Sequence, residues 1–174
     1  MRNLLAALVL SVPLLAAFPG DRAAGAAVEP IEPLRPLAGL VGHPWVAALP
    51  GDNLTDTQTW TWAYGGKFLR SVHEVRDGEG KAVYGGETIY AWDARAEHLV
   101  WWYFNTTGGY VEGTLVPEGE RTYRVEGRNH GPAAQKSEIH GLMEIAEGSW
   151  SSTALELKDG AWREANRLEF KPAP

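Results

Sequence analysis

The stretch from Val83 to Val116, VYGGETIYAWDARAEHLVWWYFNTTGGYVEGTLV, limits the possible folds more than any other part of the chain. It holds β-rich runs dense in aromatic and β-branched residues, separated by short connections of Asp, Asn and Gly. Runs of this length with such short links make an antiparallel meander, and the same pattern continues on both sides. A long meander with no helices between its strands exposes two edges unless it closes on itself. The chain is therefore expected to be all-β, a single up-and-down antiparallel barrel of about ten strands with a short N-terminal helix.

The chain has 174 residues. It opens on Met1-Arg2-Asn3, an apolar run from Leu4 to Ala17, and the small-residue sequence Ala24-Gly25-Ala26. That order reads as a signal peptide over residues 1–26. Pro13 breaks the apolar run, which is short for a membrane span, so no span is expected in the mature chain. Residues 27–33, AVEPIEP, read as a Pro-rich tether, and residues 34–174 as the barrel domain. The absence of cysteine means that an exported protein of this kind is stable without disulfides, which points to a bacterial periplasm or an extracellular setting. The formal charge is −6, and no cluster of Lys and Arg exists, so neither nucleic acid nor an anionic membrane surface is an expected partner. Nothing in the sequence sets an oligomeric state.

Leu34 to Val41 is expected to form a short helix with Leu34, Leu37, Ala38 and Val41 on one face. Strands follow at 44–46, 55–64, 67–76, 83–92, 99–105, 110–116, 122–128, 136–145, 150–157 and 162–170. In the run TDTQTWTWAY, Asp56, Gln58, Trp60, Trp62 and Tyr64 share one face. Gly65-Gly66 is expected to form a tight hairpin turn, and Gly85-Gly86 and Gly141 to mark bulges or bends.

Two segments carry a resemblance. LAGLVGHPW ahead of an all-β chain looks like the helix-then-strand opening of lipocalin-like and nitrobindin-like barrels. YGGETIYAWDARAEHLVWWYFNTTGGYVEGTL resembles an uncharacterised family of secreted, mostly bacterial lipocalin-like domains, and the likeness spans most of residues 34–170. The resemblance implies a cup holding a small apolar or amphipathic ligand, and in some nitrobindins haem. The departures argue against haem and leave no cofactor expected. The glycine-rich nitrobindin opening is replaced by Gly42-His43-Pro44-Trp45-Val46-Ala47-Ala48, and the last strands, 150–170, contain no histidine.

Strand alternation makes every strand residue a choice between inside and outside. On the strand at 99–105 one face holds Val100, Trp102 and Phe104, and the other Leu99, Trp101, Tyr103 and Asn105. Tyr and Trp suit a ligand cup, since each buries a large ring and keeps one hydrogen-bonding atom. The candidate lining set is Trp60, Trp62, Tyr90, Trp92, Trp101 and Tyr103. Glu87, Glu112 and Arg70 are candidate polar anchors, because glutamate in mid-strand is disfavoured unless it faces water or a partner.

His73 and His140 are the mid-strand histidines that can turn inward. No nucleophile elbow, metal-site spacing or phosphate loop is present. The leading expectation is an exported barrel that binds a small lipophilic ligand and has no catalytic residues. The alternatives are a cofactor-free isomerase or hydrolase using an inward Glu–His pair, and a filled barrel acting as an interaction module.

Overall fold

The computed structural model describes residues 28–51, 53–131 and 138–174. The signal-peptide reading of residues 1–26 lies outside the described residues. Glu32–Leu40 forms a 3-10 helix, and ten strands follow: β1 (Pro44–Leu49), β2 (Leu54–Ala63), β3 (Phe68–Arg76), β4 (Ala82–Asp93), β5 (His98–Asn105), β6 (Tyr110–Pro117), β7 (Thr122–His130), β8 (Glu138–Ala146), β9 (Ser149–Lys158) and β10 (Ala161–Pro172). Each strand pairs antiparallel with the next, and β1 pairs with β10 to close the barrel. The expected all-β, up-and-down architecture is the one observed.

The helix departs from expectation in its winding. Pro33 stands at its start and Pro36 inside it, and a proline nitrogen has no hydrogen to give an α-helical ladder. The segment winds with three residues per turn, so positions three apart eclipse one another. Leu34, Leu37 and Leu40 therefore share one face and are fully buried, while Ala38 is exposed. An α-helical period had placed Ala38 and Val41 on that face instead.

The helix lies across the end of the barrel where β2 passes into β3. The Ile31 N–H donates to the Gly66 carbonyl (3.0 Å), Val41 bridges Trp60, and the Trp45 indole donates to the Leu40 carbonyl (2.7 Å). The stretch read as a tether thus ends in structure, with Glu32 and Pro33 in the first helical turn. The β2–β3 connection is longer than a two-residue turn, running Tyr64–Lys67 between paired Ala63 and Phe68, with Tyr64, Gly65 and Gly66 all at positive φ.

Beneath the helix the barrel is solid. Trp60, Trp45, Phe170, Leu69 and Trp150 join the three leucines in one buried cluster, with Trp62 and Trp92 packed against it. Trp60 stacks on Tyr90 at 5.3 Å, and Trp150 on Phe170 at 4.1 Å. Fully burying side chains of this size contributes roughly 1.5–3 kcal/mol each.

The expected bulges at glycine are absent. Pairing runs unbroken through Gly85, Gly86 and Gly141, and the register shifts fall at Val75/Arg76 and Glu164/Asn166. Gly86 is needed for space: a Cβ there would come within 2.3 Å of Cε2 in the Tyr103 ring. At Gly113 and Gly127 a Cβ would come within 2.6 and 2.8 Å of the Trp101 ring. These glycines seat two large rings inside the barrel.

Candidate functional site

The seam of interior residues can be followed from strand to strand. Trp62 pairs with Leu69, Leu69 with Tyr90, Tyr90 with Trp101, and Trp101 with Gly113. On β5 it is thus Leu99, Trp101 and Tyr103 that face inward, and Val100, Trp102 and Phe104 that face out. All six aromatic candidates, Trp60, Trp62, Tyr90, Trp92, Trp101 and Tyr103, lie on the interior face. They separate by depth. Trp60, Trp62 and Trp92 pack in the solid part below the helix, whereas Tyr90, Trp101 and Tyr103 line a cavity of about 180 Å³.

The three polar candidates lie on the other side of the sheet. Arg70 pairs across to Ile89, Glu87 to Val72 and Phe104, and Glu112 to Trp102 and Arg128, all outer-face positions. Arg70 and Glu87 form an exposed ion pair at 2.8 Å, and Glu112 reaches His130 at 3.1 Å. The Arg70 guanidinium, by hydrogen bond and charge, holds the Glu87 carboxyl below its ordinary range. The correction follows from strand parity: one face of β4 is filled by Thr88, Tyr90 and Trp92, so Glu87 must point to water. The Glu–His pair considered from the sequence is not assembled, since Glu87 and Glu112 face away from His73, and His140 lies outside beside Glu138.

What the cavity holds instead is a chain of hydrogen bonds. His73 on β3 points inward, with Nδ1 at 3.1 Å from Asp56 Oδ1 on β2 and Nε2 at 2.9 Å from the Tyr103 hydroxyl on β5. Tyr103 in turn lies 2.8 Å from the Tyr84 hydroxyl on β4. Gln58 Nε2 donates to the other oxygen of Asp56 (3.3 Å), and the Ser71 hydroxyl donates to Gln58 Oε1 (3.4 Å). Asp56 is only 5% exposed, so this carboxylate depends on protein partners rather than water. Burial, reinforced by the neighbouring Tyr84, pushes the Tyr103 phenol well above the usual tyrosine range, and burial does the same to Tyr90.

The cavity has two unlike walls. Gln58, Ser71, His73, Thr88, Tyr90 and Tyr103 make the polar one, and Trp101, Leu115, Val125, Met143 and Trp150, with the Ser152 hydroxyl beside them, the mainly apolar one. The parity of β2 was a usable signal for part of this. Once the tryptophans of TDTQTWTWA face in, Asp56 and Gln58 must do so too. Tyr84 and Ser71 carry no local mark of their role. Among the described residues no cluster of potential ligands gathers that could hold a metal ion, and no helix is long and apolar enough to cross a membrane.

The fold and site together define a closed ten-stranded up-and-down β-barrel, stoppered at one end by its N-terminal helix, with a half-polar cavity among the strands. The chain is similar to the crystal structure of Rv2717c from M. tuberculosis, with a TM-score of 0.57 and 12% sequence identity over 84% of this chain and 100% of that one. At that identity the likeness is one of fold. No protein-family model matches the chain, and no curated protein matches it either.

Proposed function

We propose that this chain is an exported β-barrel that holds a small amphipathic molecule in its cup, without catalysis. The observation that carries this reading is the cavity of about 180 Å³, apolar on one wall and hydrogen-bonding on the other. A dry apolar cavity of ~150 Å³ in another protein takes up benzene, whereas pockets for drug-sized ligands start near ~300 Å³. The occupant proposed is therefore a single-ring compound with one polar group, its ring against Trp101 and Met143 and its polar group toward Tyr103 and Ser71.

The reading takes the cup to work without haem, and the lining supports that. Among its lining residues His73 is the one imidazole, and both of its ring nitrogens are engaged, by Asp56 and Tyr103. The export half of the proposal comes from residues 1–26 and predicts a mature chain starting near Ala27, which mass spectrometry of the protein recovered from its native host checks.

Binding is tested by titrating benzyl alcohol into the protein while following tryptophan fluorescence and backbone amide spectra. Saturable shifts at Tyr90, Trp101, Tyr103 and Leu115 are expected. Shifts confined to outer-face residues such as Trp102 and Phe104, or none, would overturn the reading.

A further inference from the structure

We infer that the cup selects small aromatic ligands that are cationic or uncharged and that present a hydrogen-bond donor, as arylalkylamines do, and rejects carboxylates of the same size. This rests on the reading of the cup as a binding site and names the chemistry of its occupant.

The first ground is charge. The residues lining the cavity include no Lys or Arg. The ionised group closest behind the polar wall is Asp56, whose two oxygens are turned to His73 and Gln58. A carboxylate removed from water acts over a longer range than one at the surface, because less solvent screens it. An anion entering the cup meets this charge with no Lys or Arg among the lining residues and with the one imidazole, His73, already turned to Asp56, whereas a cation is drawn to it. The formal charge of −6 on the whole chain acts in the same direction.

The second ground is the count of protons and lone pairs. A phenol has one proton to give and two lone pairs to receive. If His73 presents a bare Nε2, Tyr103 donates its proton there and accepts from Tyr84. If Nε2 carries a proton, His73 donates to Tyr103, which then donates to Tyr84. In both arrangements the Tyr103 proton is committed inside the chain and one lone pair is left over. Ser71 likewise commits its proton to Gln58 and keeps its lone pairs. Tyr103 and Ser71 thus turn lone pairs and no protons to the cavity, and at that point they match a ligand that donates.

The opposite wall agrees. Trp101 and Trp150 contribute indole rings, which attract cations to their faces. Their nitrogens do not compete: Trp101 Nε1 donates to the Thr114 carbonyl (3.1 Å), and Trp150 Nε1 is sealed in the core. The wall therefore offers an approaching ligand ring surface.

The test is calorimetric titration of the full chain with benzylamine, benzyl alcohol and benzoate. Benzylamine is expected to bind about tenfold or more tightly than benzoate, with benzyl alcohol between them. Asp56→Asn keeps the size and removes the charge, turning one of the two acceptor oxygens that face His73 and Gln58 into a donor, and should bring benzylamine and benzoate within about threefold of one another. If that variant does not fold, the wild-type order decides alone. Benzyl alcohol binding with benzoate equal to or tighter than benzylamine overturns this inference and leaves the cup reading standing. Failure of all the probes to bind overturns both.

Discussion

The two faces of the strands from β2 to β6 are built from the same kinds of residue, yet they work in opposite ways. Outside, Val72, Trp102, Phe104 and Tyr110 lie partly exposed, with the Arg70–Glu87 and Glu112–His130 pairs between them. Inside, Tyr90, Trp101 and Tyr103 are joined by Asp56 and His73. The outer face has several charged groups, each competing with water for its partner. The inner face has one carboxylate, which has few alternatives to its partners. Breaking the inner set is therefore expected to cost more than breaking an outer pair.

The sharpest way to break this comparison is to empty the inner face. Trp60→Ala removes the ring that stacks on Tyr90 and meets Trp150 edge-on, at 2% exposure. A loss of about 3–5 kcal/mol is expected, read from urea denaturation midpoints. Trp102→Ala, its outer-face counterpart on β5, should cost well under half of that.

Next comes crowding. Gly86→Ala drives a methyl group into the Tyr103 ring and toward the Phe104 carbonyl. About 1–3 kcal/mol of destabilisation is expected, together with weaker benzyl alcohol binding as Tyr103 is displaced. An unchanged denaturation midpoint would show that the ring is not seated as described.

Alkaline pH gives a comparable effect from the inside face. The folded Tyr103 and Tyr90 phenols titrate higher than unfolded ones, which ionise near ~10. Their contribution is complete below that value and is lost progressively as pH rises through and above it. Denaturation midpoints should fall above pH ~10, and Tyr90→Phe should blunt the fall.

The smallest effect belongs outside. Glu87→Gln breaks the exposed pair with Arg70 and should cost about 0–1 kcal/mol, less at high salt. The Glu87 carboxyl titrates below its unfolded value, so whatever it contributes is present at neutral pH and disappears as pH falls through its folded value. A larger loss would mean that the outer face is coupled to the cup.

Much of this was legible in the residues, for identifiable reasons. Strand existence came from alternation and turn chemistry, which are local, and all ten strands appear where those signals stood. Facing was harder. On β5 both faces are aromatic, so alternation alone could not say whether Trp101 or Trp102 looks inward. Glu87 and Glu112 drew attention as unusual strand residues, but an unusual residue in an antiparallel sheet is most simply accommodated by water. The hydrogen-bonded chain from Asp56 to Tyr84 joins β2, β3, β5 and β4, and no sequence spacing encodes such a meeting. The helix was found but misphased, because its prolines change the winding and with it the buried face.

The seam between β1 and β10 sets an order in time. It is held by the pairs Trp45–Pro172 and Val46–Lys171, whereas every other pairing joins strands adjacent in the sequence. Adjacent hairpins close small loops and assemble quickly, but the seam has to bring the two ends of the domain together and carries their full loop-closure entropy. The barrel is therefore a sheet that forms progressively and is sealed last, by its shortest pairing. Refolding followed by hydrogen-exchange labelling should find the amides around Trp45 and Lys171 among the last to be protected.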